Sequence, residues 1–534
     1  MQGRTKIILG IDAGTTSVKS VAFTLEGTIA GVARSSVHIS RGPLGQAEVD
    51  MERVWEATVF TISAVVDQLS TIDAEVVAVG LTGQGDGAWL VGDDGRPLGP
   101  AALWLDGRAS AVVEEWSADG RASVIAEATG SPLFPGALPV LLAALDAEGA
   151  IPRAGGVHQL NCKDWLRFRL TGVIATDPSE ASRTYLDTAT LRYAEDACAL
   201  VGQQEVVDWL APVAAPAGVA GRLSRHVADV VGLPEGIPVA VGLVDTAAAG
   251  VGIGAVRDGD GYAILGTTGF VGVNHPSRQG VRSAQSIVLA TGRGHQVLES
   301  LAPMTGTPNL DWVRTCLGRG SEDWATVERD AAAVPPGSGG LLYLPYGSPS
   351  GERAPFSDGA ASAAWLGMSI TTSSAELLRS VYEGLAFALA ECMDVLRLEG
   401  TLAICGGGSD SDLFCRILAD VSGRTVVRQD APEVGARGAA TLAGVAAGVF
   451  HDLDEGIAAL APTSSTFEPR PERATLYREF AGAFIATRDA LRPRWPQLRA
   501  LRALTPSVAD DPSDATTTTR SAPLDQRGLV PSHH

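Results

Sequence analysis

Apolar residues come in short runs along the first part of the chain. KIILGID, SVKSVAFTLEG and IAGVARSSVHI are separated by Gly/Thr and Glu-Gly turns, which predicts three successive strands. From Asp50 onward the apolar residues recur at spacings of three and four, which predicts an amphipathic helix with the stripe Trp55, Val59, Ile62, Val66 and Leu69. The run AEVVAVGL then predicts another strand, so the order is β-β-β-α-β.

The second half repeats this pattern loosely. IPVAVGLVDTAAAGVGIG and GYAILGTTGFVGVN each predict a strand followed by a turn. A helix is predicted to open at Ser373, because Glu376 completes a capping box, and its apolar stripe is Leu377, Val381 and Leu385. LAICGGGSDSDLFCRILADV predicts a strand, a glycine-rich turn and a helix, and residues 435–450 predict a small-residue helix that packs closely against a sheet.

The length and the repeated pattern predict two domains. A chain of 534 residues is too long for one core, and each half begins with a strand that ends in an aspartate, Asp12 or Asp245. Pro and Gly punctuate GLPEGIPV, so we predict an N-terminal α/β domain at 1–240 and a C-terminal α/β domain at 241–495, with a cleft between them. Residues 504–534 have almost no apolar content and predict a disordered tail.

Charge and cysteine usage narrow the class of partner. The formal net charge is −20 and the chain has no Lys/Arg tract, which argues against nucleic acid or an anionic membrane and favours a small ligand. Six cysteines without CxxC spacing predict buried thiols of a reducing compartment, the cytoplasm. The apolar run IILGI is too short for a signal peptide, and no stretch approaches the length of a membrane span.

Two Gly-Thr turns follow apolar strands and suit phosphate. In GIDAGTTSVK, Asp12 is followed by Gly14, Thr15, Thr16 and Lys19; such a turn exposes N–H groups and hydroxyls, and the carboxylate can hold Mg²⁺ through water. The alternative is a plain hairpin. The stretch AILGTTGFVGV repeats the arrangement with Gly266, Thr267, Thr268 and Gly269, which predicts one nucleotide held between the two halves.

A third glycine-rich element favours a nucleoside. Gly407 and Gly408 would let a flat base or ribose approach the backbone, and Asp412 could meet a polar edge of the nucleoside. The chain contains neither a GxxxxGK[ST] motif nor a dinucleotide fingerprint, so another way of binding nucleotide is expected.

Asp245 stands alone in an apolar run. A carboxylate there costs desolvation unless it faces a cleft or a partner, so we interpret it as a functional group. Phosphoryl transfer to a hydroxyl needs a base within hydrogen-bond reach, and one aspartate suffices. Asp245 is therefore the candidate base.

The stretches TGQGDGAWL and LWLDGRA place polar groups at strand ends. Gln84, Asp86, Asp106 and Arg108 offer hydrogen bonds to sugar hydroxyls, and the indole of Trp104 can cover a carbon face. The alternatives are a tight glycine turn formed by Asp86 and a core position for Trp104.

With these motifs in place the chain resembles the FGGY carbohydrate kinases, which have an actin-like, ribonuclease-H-like two-domain fold. The resemblance runs from about residue 6 to 490 and rests on GIDAGTTSVK, WLDGRA, KDWLRFRLTG with TDPSEAS, GLPEGIPVAVGLVD, GTTGF, GERAPFSD, YEGLAFAL and GGGSDSDLFCRILADVSGR taken together. It implies ATP-dependent phosphorylation of a sugar or polyol in the cleft, with Mg²⁺ and cleft closure.

The resemblance also implies roles for individual residues. Asp245 would be the catalytic base, and Asp12 and Asp245 would be the acids at the magnesium ion. The residues implied at the nucleotide are Asp12, Gly14, Thr15, Thr16, Lys19, Gly266, Thr267, Gly407, Gly408 and Asp412. The residues implied at the substrate are Gln84, Gly85, Asp86, Trp104, Asp245 and Phe270.

The chain departs from the family at informative positions. Asp410 and Phe414 stand where the family usually carries a small or basic residue and often a tryptophan, so nucleotide contacts are expected to differ in detail. The loop at Gly85 and Asp86 looks most like that of members that phosphorylate erythritol. We expect the missing side chain at Gly85 to open space and Asp86 to accept a hydroxyl, which suits a linear polyol slightly longer than glycerol.

Three other functions stay open. A pentulose kinase acting on xylulose or ribulose would use the same cleft with other loop contacts. A non-kinase ATPase of the same fold would lack a polyol pocket. A sugar-sensing pseudokinase would bind its ligand without catalysing phosphoryl transfer. Asp86, Trp104 and Asp245 argue against the ATPase, and Asp12 and Asp245 argue against the pseudokinase. A homodimer is a further expectation.

Overall fold

The computed structural model describes residues 4–43, 45–151, 156–430 and 433–504. The elements up to residue 244 are β1 Thr5–Ala13, β2 Ser17–Thr24, β3 Ile29–Ser36, β4 Ser40–Arg41, β5 Ala47–Val49, α1 Met51–Leu69, β6 Ala74–Gly83, β7 Trp89–Gly92, β8 Ala101–Ala102, α2 Ser110–Ala118, α3 Arg121–Thr129, α4 Leu138–Ala147, β9 Val157–Leu160, α5 Cys162–Thr171, α6 Pro178–Ala181, β10 Leu186–Asp187, β11 Arg192–Tyr193, α7 Glu195–Leu200, α8 Val206–Trp209, β12 Val219–Arg222, α9 Arg225–Val231, β13 Pro238–Ala240 and β14 Leu243–Val244.

The remaining helices and strands belong mostly to a second sheet and its cover. They are α10 Asp245–Gly252, β15 Gly261–Leu265, β16 Gly269–His275, β17 Ile287–Ala290, β18 Val297–Leu301, α11 Pro308–Cys316, α12 Trp324–Ala333, β19 Leu342–Leu344, β20 Ala364–Leu366, α13 Ser374–Val395, β21 Leu402–Cys405, α14 Asp412–Ser422, β22 Val426–Gln429, α15 Val434–Ala446, α16 Leu453–Leu460, β23 Ser464–Phe467, α17 Pro471–Leu491 and α18 Trp495–Leu504.

Two sheets of seven strands organise the described residues and confirm the predicted α/β class. The first has the order β12-β13-β6-β1-β2-β3, with β14 also pairing with β6, and the second has the order β17-β18-β16-β15-β21-β22-β23. In the first, β1 pairs antiparallel with β2 and parallel with β6, because α1 provides the crossover that a parallel pair requires. The predicted β-β-β-α-β order is therefore confirmed.

The predicted stripe of α1 is confirmed only in part. Ile62 and Leu69 are buried as predicted, whereas Trp55, Val59 and Val66 are only partly buried. The other buried positions include Val54, Thr58, Thr61 and Val65. The predicted stripe contained only apolar residues and so omitted the two threonines, whose hydroxyls can be buried because they form hydrogen bonds. Thr61 Oγ1 lies 2.8 Å from Ser20 Oγ of β2, and Thr58 donates to the carbonyl of Val54 at 2.8 Å.

The predicted start of α13 is confirmed. Ser373 and Glu376 form a complete capping box, with the Ser373 amide 2.7 Å from Glu376 Oε2. The buried face carries Leu378, Val381 and Leu385, whereas Leu377 is only partly buried. This helix fills the core beneath the second sheet.

Helix α15 joins the two halves through small residues, as its composition predicted. A Cβ at Gly10 of β1 would lie 2.0 Å from the Ala436 carbonyl oxygen, and one at Gly80 of β6 would lie 2.0 Å from that of Ala439. On the other side, a Cβ at Gly438 would lie 1.9 Å from the carbonyl oxygen of Ala248 in α10. The backbones of α15, the first sheet and α10 therefore touch directly.

Several expectations meet the structure only in part. Strands β13 and β14 pair with the first sheet and α10 begins at Asp245, while the boundary at 240/241 stays a prediction. Residues 505–534 of the predicted tail lie outside the described residues, and α18 ends at Leu504. Cys316 is exposed at the end of α11, so the prediction of a buried thiol is wrong for that residue. Every helix in the described ranges is too short or too polar to cross a bilayer.

Candidate active site

Two adjoining cavities are lined by residues of both halves. The first has a volume of about 460 Å³ and the second of about 710 Å³. Asp12, Val434 and Gly435 line both cavities, so the two form one continuous cleft beside the N-terminus of α15.

Most of the predicted site residues come together in this cleft. Those that line the first cavity are Asp12, Gly14, Thr15, Gly85, Asp86, Trp104, Asp245, Gly266, Thr267 and Phe270. Those that line the second are Asp12, Lys19, Gly407 and Asp412. Thr16, Gln84 and Gly408 line neither cavity.

Two aspartates, one from each half of the chain, line the first cavity. Asp12 lies near the end of β1, and Asp245 is the first residue of α10, where its Oδ1 accepts a hydrogen bond of 2.6 Å from the Thr246 amide. Burial raises the pKa of Asp12 to about 6. Burial, and then the charge of Asp12, raise the pKa of Asp245 to about 7. A carboxyl with such a pKa can accept a proton near neutral pH.

The two Gly-Thr turns line the same cavity from opposite halves. In the turn between β1 and β2, the Gly14 amide donates to the Ser17 carbonyl at 3.0 Å, and Thr15 lines the cavity. In the turn between β15 and β16, the Gly266 amide donates to the Thr268 carbonyl at 3.1 Å. Thr16 is exposed and lies outside the cleft lining.

Lys19 lies in the second cavity but is already paired. Its Nζ is 2.8 Å from Glu433 Oε2, and Arg34 Nη2 is 3.3 Å from the other oxygen of the same carboxylate. Glu433 has a φ of 67°, a left-handed conformation that a non-glycine residue seldom adopts, and it directly precedes α15. A phosphate that meets Lys19 would therefore have to share it with Glu433.

The glycine-rich turn before α14 is only partly open. Gly407 lines the second cavity, whereas a Cβ at Gly408 would lie 2.5 Å from Leu265 Cδ2, so Gly408 packs against the core. Asp412 lines the cavity too, and its Oδ1 accepts a hydrogen bond of 2.8 Å from Arg428 Nη1. A nucleoside at this wall would meet an ion pair, not a lone carboxylate.

Asp86 forms an ion pair with Arg183, a residue that no sequence motif predicted at the site. Arg183 Nε lies 3.0 Å and 3.2 Å from the two carboxylate oxygens of Asp86, and both residues line the first cavity. Burial raises the pKa of Asp86, although Arg183 opposes this shift. Arg183 follows TDPSEAS in the sequence, but nothing local there indicates a partner 97 residues away.

The structure corrects the expectation that Gly85 opens space. A Cβ at Gly85 would lie 2.6 Å from Val244 Cγ2 and 3.4 Å from Glu180 Oε2, so neighbouring groups already occupy that direction. Glycine is required there by close packing. Gln84 is buried, and its backbone N–H donates to the Ala13 carbonyl at 2.9 Å. Its side-chain Oε1 has no hydrogen-bond partner among the described residues.

Asp106 and Arg108 do not face the cleft. Asp106 is buried and accepts hydrogen bonds of 2.9 Å from the Ala47 amide and from Arg108 Nε. Arg108 is also paired with Glu48. These hydrogen bonds and ion pairs stabilise the loop that contains Trp104. The prediction that Asp106 and Arg108 contact the sugar is therefore wrong.

A buried polar network lies behind the candidate base. The Val244 amide donates to Ser179 Oγ at 3.0 Å, and the Ser179 hydroxyl donates to Asp177 Oδ2 at 2.5 Å. Lys163 Nζ lies 2.8 Å from Asp177 Oδ1 in the same network. These contacts fix the backbone that carries Asp245. No local pattern in KDWLRFRLTG or TDPSEAS indicates this role.

Arg353 and Phe134 also line the first cavity and were not predicted. Arg353 is the arginine of GERAPFSD, so the motif itself was visible in the sequence. Its position over the cavity follows from how the loop between β19 and β20 packs, which no local pattern reveals.

Comparison with known proteins identifies the family. The profiles described as "FGGY family of carbohydrate kinases, N-terminal domain" and "C-terminal domain" match residues 7–252 and 261–447. The chain is 32% identical over 522 residues to an erythritol kinase of Brucella abortus, covering 93% of this chain and 99% of that one. It is 29% identical to an L-xylulose/3-keto-L-gulonate kinase of Escherichia coli, over 89% of this chain and 95% of that one.

A solved structure supports the same fold. A ligand-bound xylulose kinase from Lactobacillus acidophilus superposes with a TM-score of 0.85 at 24% identity, covering 92% of this chain and 100% of that one. The predicted resemblance is thus confirmed, and so is the actin-like, ribonuclease-H-like fold. The protein is a phosphotransferase enzyme that belongs to the FGGY family of carbohydrate kinases.

Proposed function

We propose that this enzyme transfers the γ-phosphoryl group of ATP to a terminal hydroxyl of a linear polyol, with erythritol as its substrate. The observation that carries the proposal is the position of Asp245 in the first cavity. The same cavity is lined by two Gly-Thr turns and by a wall of Asp86, Arg183 and Trp104. Anion-binding turns and a hydroxyl-binding wall around one base suit transfer from a phosphate to a polyol.

Asp245 would take the proton of the attacking hydroxyl. Its pKa of about 7 allows it to accept a proton near neutral pH and release it afterwards. The N–H groups and hydroxyls of the turns at Thr15 and Thr267 would orient the phosphate chain. Nucleotide would extend into the second cavity, beside Lys19, Gly407 and Asp412.

The carboxylates of the cleft fit a magnesium ion. The described residues contain no cluster of three His, Cys, Asp or Glu side chains that could bind a metal without help. Mg²⁺ commonly binds one or two carboxylates together with substrate phosphates and water, and Asp12 and Asp245 provide two carboxylates in one cavity. When bound with ATP there, it would neutralise charge on the phosphate oxygens.

The substrate assignment has support from the relatives and a defined rival. The relative from Brucella abortus, named for erythritol, is 32% identical over nearly the whole chain. The relative from Escherichia coli, named for L-xylulose and 3-keto-L-gulonate, is 29% identical, which favours a pentulose as the second candidate. Family membership as a carbohydrate kinase argues against a non-kinase ATPase.

A coupled ADP-release assay tests the proposal. The enzyme with Mg-ATP is given glycerol, erythritol, threitol, ribitol, and both enantiomers of xylulose and ribulose. The proposal expects kcat/KM to be highest for erythritol. A higher value for a ketopentose would replace the polyol with a pentulose, and equal ADP release without any acceptor would contradict the kinase assignment.

A further inference from the structure

Arg353 brings an unpaired guanidinium to the first cavity. It lies in the loop between β19 and β20, and its Nε donates to the Ala302 carbonyl at 2.6 Å. Among the described residues, no hydrogen bond or ion pair reaches its two terminal nitrogens. Burial lowers the pKa of Arg353. A partly buried cation with free donors is stabilised by any ligand oxygens that pair with them.

The loop that carries Arg353 is held rigidly by its neighbour. Glu352 is buried, and its carboxylate accepts hydrogen bonds from the Met304 amide at 2.6 Å, from the Thr305 hydroxyl at 2.9 Å and from the Arg353 amide at 2.9 Å. This anchoring orders the base of the Arg353 side chain before any ligand arrives, which lowers the entropic cost of binding.

Arg353 reaches across to the other half of the protein. Its guanidinium carbon lies 5.6 Å from the ring centroid of Trp104, and Arg183 lies at the same distance, 5.6 Å, from the ring of Phe134. The charge of Arg183 is compensated by Asp86, whereas Arg353 has no carboxylate within 4.0 Å in the described residues. Arg353 therefore presents to the cavity a positive charge that has no ion-pair partner among the described residues.

Asp245 lines the same cavity as the two arginines but is paired with neither of them. Among the described residues, its carboxylate accepts a hydrogen bond from the Thr246 amide, and Arg183 pairs with Asp86. A substrate whose reacting hydroxyl sits at Asp245 would therefore leave its other oxygens free to reach Arg353.

We propose that Arg353 binds two neighbouring oxygen atoms at the end of the substrate remote from Asp245, and so sets which substrates the cleft accepts. The planar guanidinium offers parallel N–H donors that match two adjacent oxygens. Two vicinal hydroxyls of a polyol and the carboxylate of a sugar acid present that same pair of oxygens. This inference rests on the proposed function, because it takes Asp245 as the point where phosphate is transferred.

The variant Arg353→Met tests this inference. Methionine keeps a long apolar side chain over Trp104 and removes every donor. With saturating Mg-ATP, kcat/KM is measured for glycerol, erythritol and erythronate, and the dissociation constant of each is measured by calorimetry. Arg314→Met is the matched control, since Arg314 also stacks on a tryptophan, at 4.3 Å from the Trp324 ring, but lines neither cavity.

The inference expects Arg353→Met to lower the preference for a four-carbon substrate over glycerol by about tenfold or more, as loss of a charged hydrogen bond does. A fall confined to erythritol identifies vicinal hydroxyls as the partner, and a fall confined to erythronate identifies a carboxylate. The KM for ATP should stay unchanged, and Arg314→Met should match the wild type.

An unchanged preference, or equal losses for glycerol and the longer substrates, would overturn the inference. Failure of the proposed function would give a different result, namely no turnover of any acceptor by the wild type. If the wild type does not turn over, calorimetry still tests the inference, because Arg353→Met must weaken binding of a four-carbon ligand at least about tenfold. Absence of any binding to the wild type would overturn both.

Discussion

Trp104 Nε1 donates a hydrogen bond of 3.0 Å to Thr15 Oγ1. The bond joins the wall proposed to bind polyol to the turn proposed to bind phosphate, and both residues line the first cavity. The position of the indole therefore depends on the same hydroxyl that we propose to contact the phosphate chain. The two binding regions share a structural element.

Thr15→Val should raise the KM of both substrates. Valine keeps the shape of threonine but removes the acceptor for Trp104, and one hydrogen bond of about 0.5–1.5 kcal/mol corresponds to a roughly two- to tenfold effect. Steady-state kinetics with each substrate varied in turn measures it. Thr16→Val is the control, because Thr16 is exposed outside the cleft, and it should change neither KM. A rise in the KM for ATP alone would show that the bond does not couple the two regions.

Asp86→Asn should raise the KM for the polyol and leave that for ATP nearly unchanged. The substitution removes the charge that pairs with Arg183, 3.0 Å away, and weakens a hydroxyl acceptor in the cavity. Hydrogen bonds to charged groups contribute about 1.5–3 kcal/mol, so a rise of roughly tenfold or more is expected. Asp93→Asn, at an exposed pair with His158, provides the control. Equal changes in both KM values would remove Asp86 from the polyol wall.

Gly85→Ala should impair the enzyme through Val244. The added Cβ would lie 2.6 Å from Val244 Cγ2, so Val244 and the adjacent Asp245 must shift, at a cost of about 1–3 kcal/mol. We expect a lower melting temperature and a lower kcat. Gly482→Ala is the control, since a Cβ there meets nothing within 4 Å in helix α17, and it should stabilise the protein by about 0.5–1 kcal/mol. An unchanged Gly85→Ala enzyme would mean that the loop has more room than the structure shows.

The stability of Asp245→Asn relative to wild type should depend on pH. The folded protein raises the pKa of Asp245 from 3.8 to about 7, so the folded state binds the proton more tightly than the unfolded state. Wild-type stability is therefore lost as the pH rises from 3.8 through 7, and asparagine, which resembles the neutral acid, avoids this loss. Melting in EDTA should show the variant more stable at pH 8, by about 2 °C or more, with a smaller difference at pH 5. A difference that does not change with pH would contradict the raised pKa.

The local sequence pattern predicted those site residues that are close together in the chain. Asp12 and the turn after it follow from a strand that ends in a Gly-Thr turn, and the structure places Asp12, Gly14 and Thr15 at the cavity. Asp245 was visible as a lone acid in an apolar run. These features depend on a few adjacent residues.

The parts that depend on distant packing could not be predicted. Arg183 and Asp86 are 97 residues apart, and Arg353 reaches Trp104 of the other half. Gly85 was interpreted by its own size, but Val244 decides how much space exists there. Gln84 was grouped with Asp86 because they are near neighbours, yet Gln84 turns into the interior while Asp86, with φ of 61°, faces the cavity.

The measurement that tests the central claim most directly is erythritol-dependent ADP formation by the wild type and Asp245→Asn at saturating Mg-ATP. The claim is that Asp245 takes the proton of the attacking polyol hydroxyl, so kcat should fall by about 100-fold or more while the variant remains folded and binds both substrates. A variant that is folded, saturable and nearly as fast as the wild type would contradict the claim.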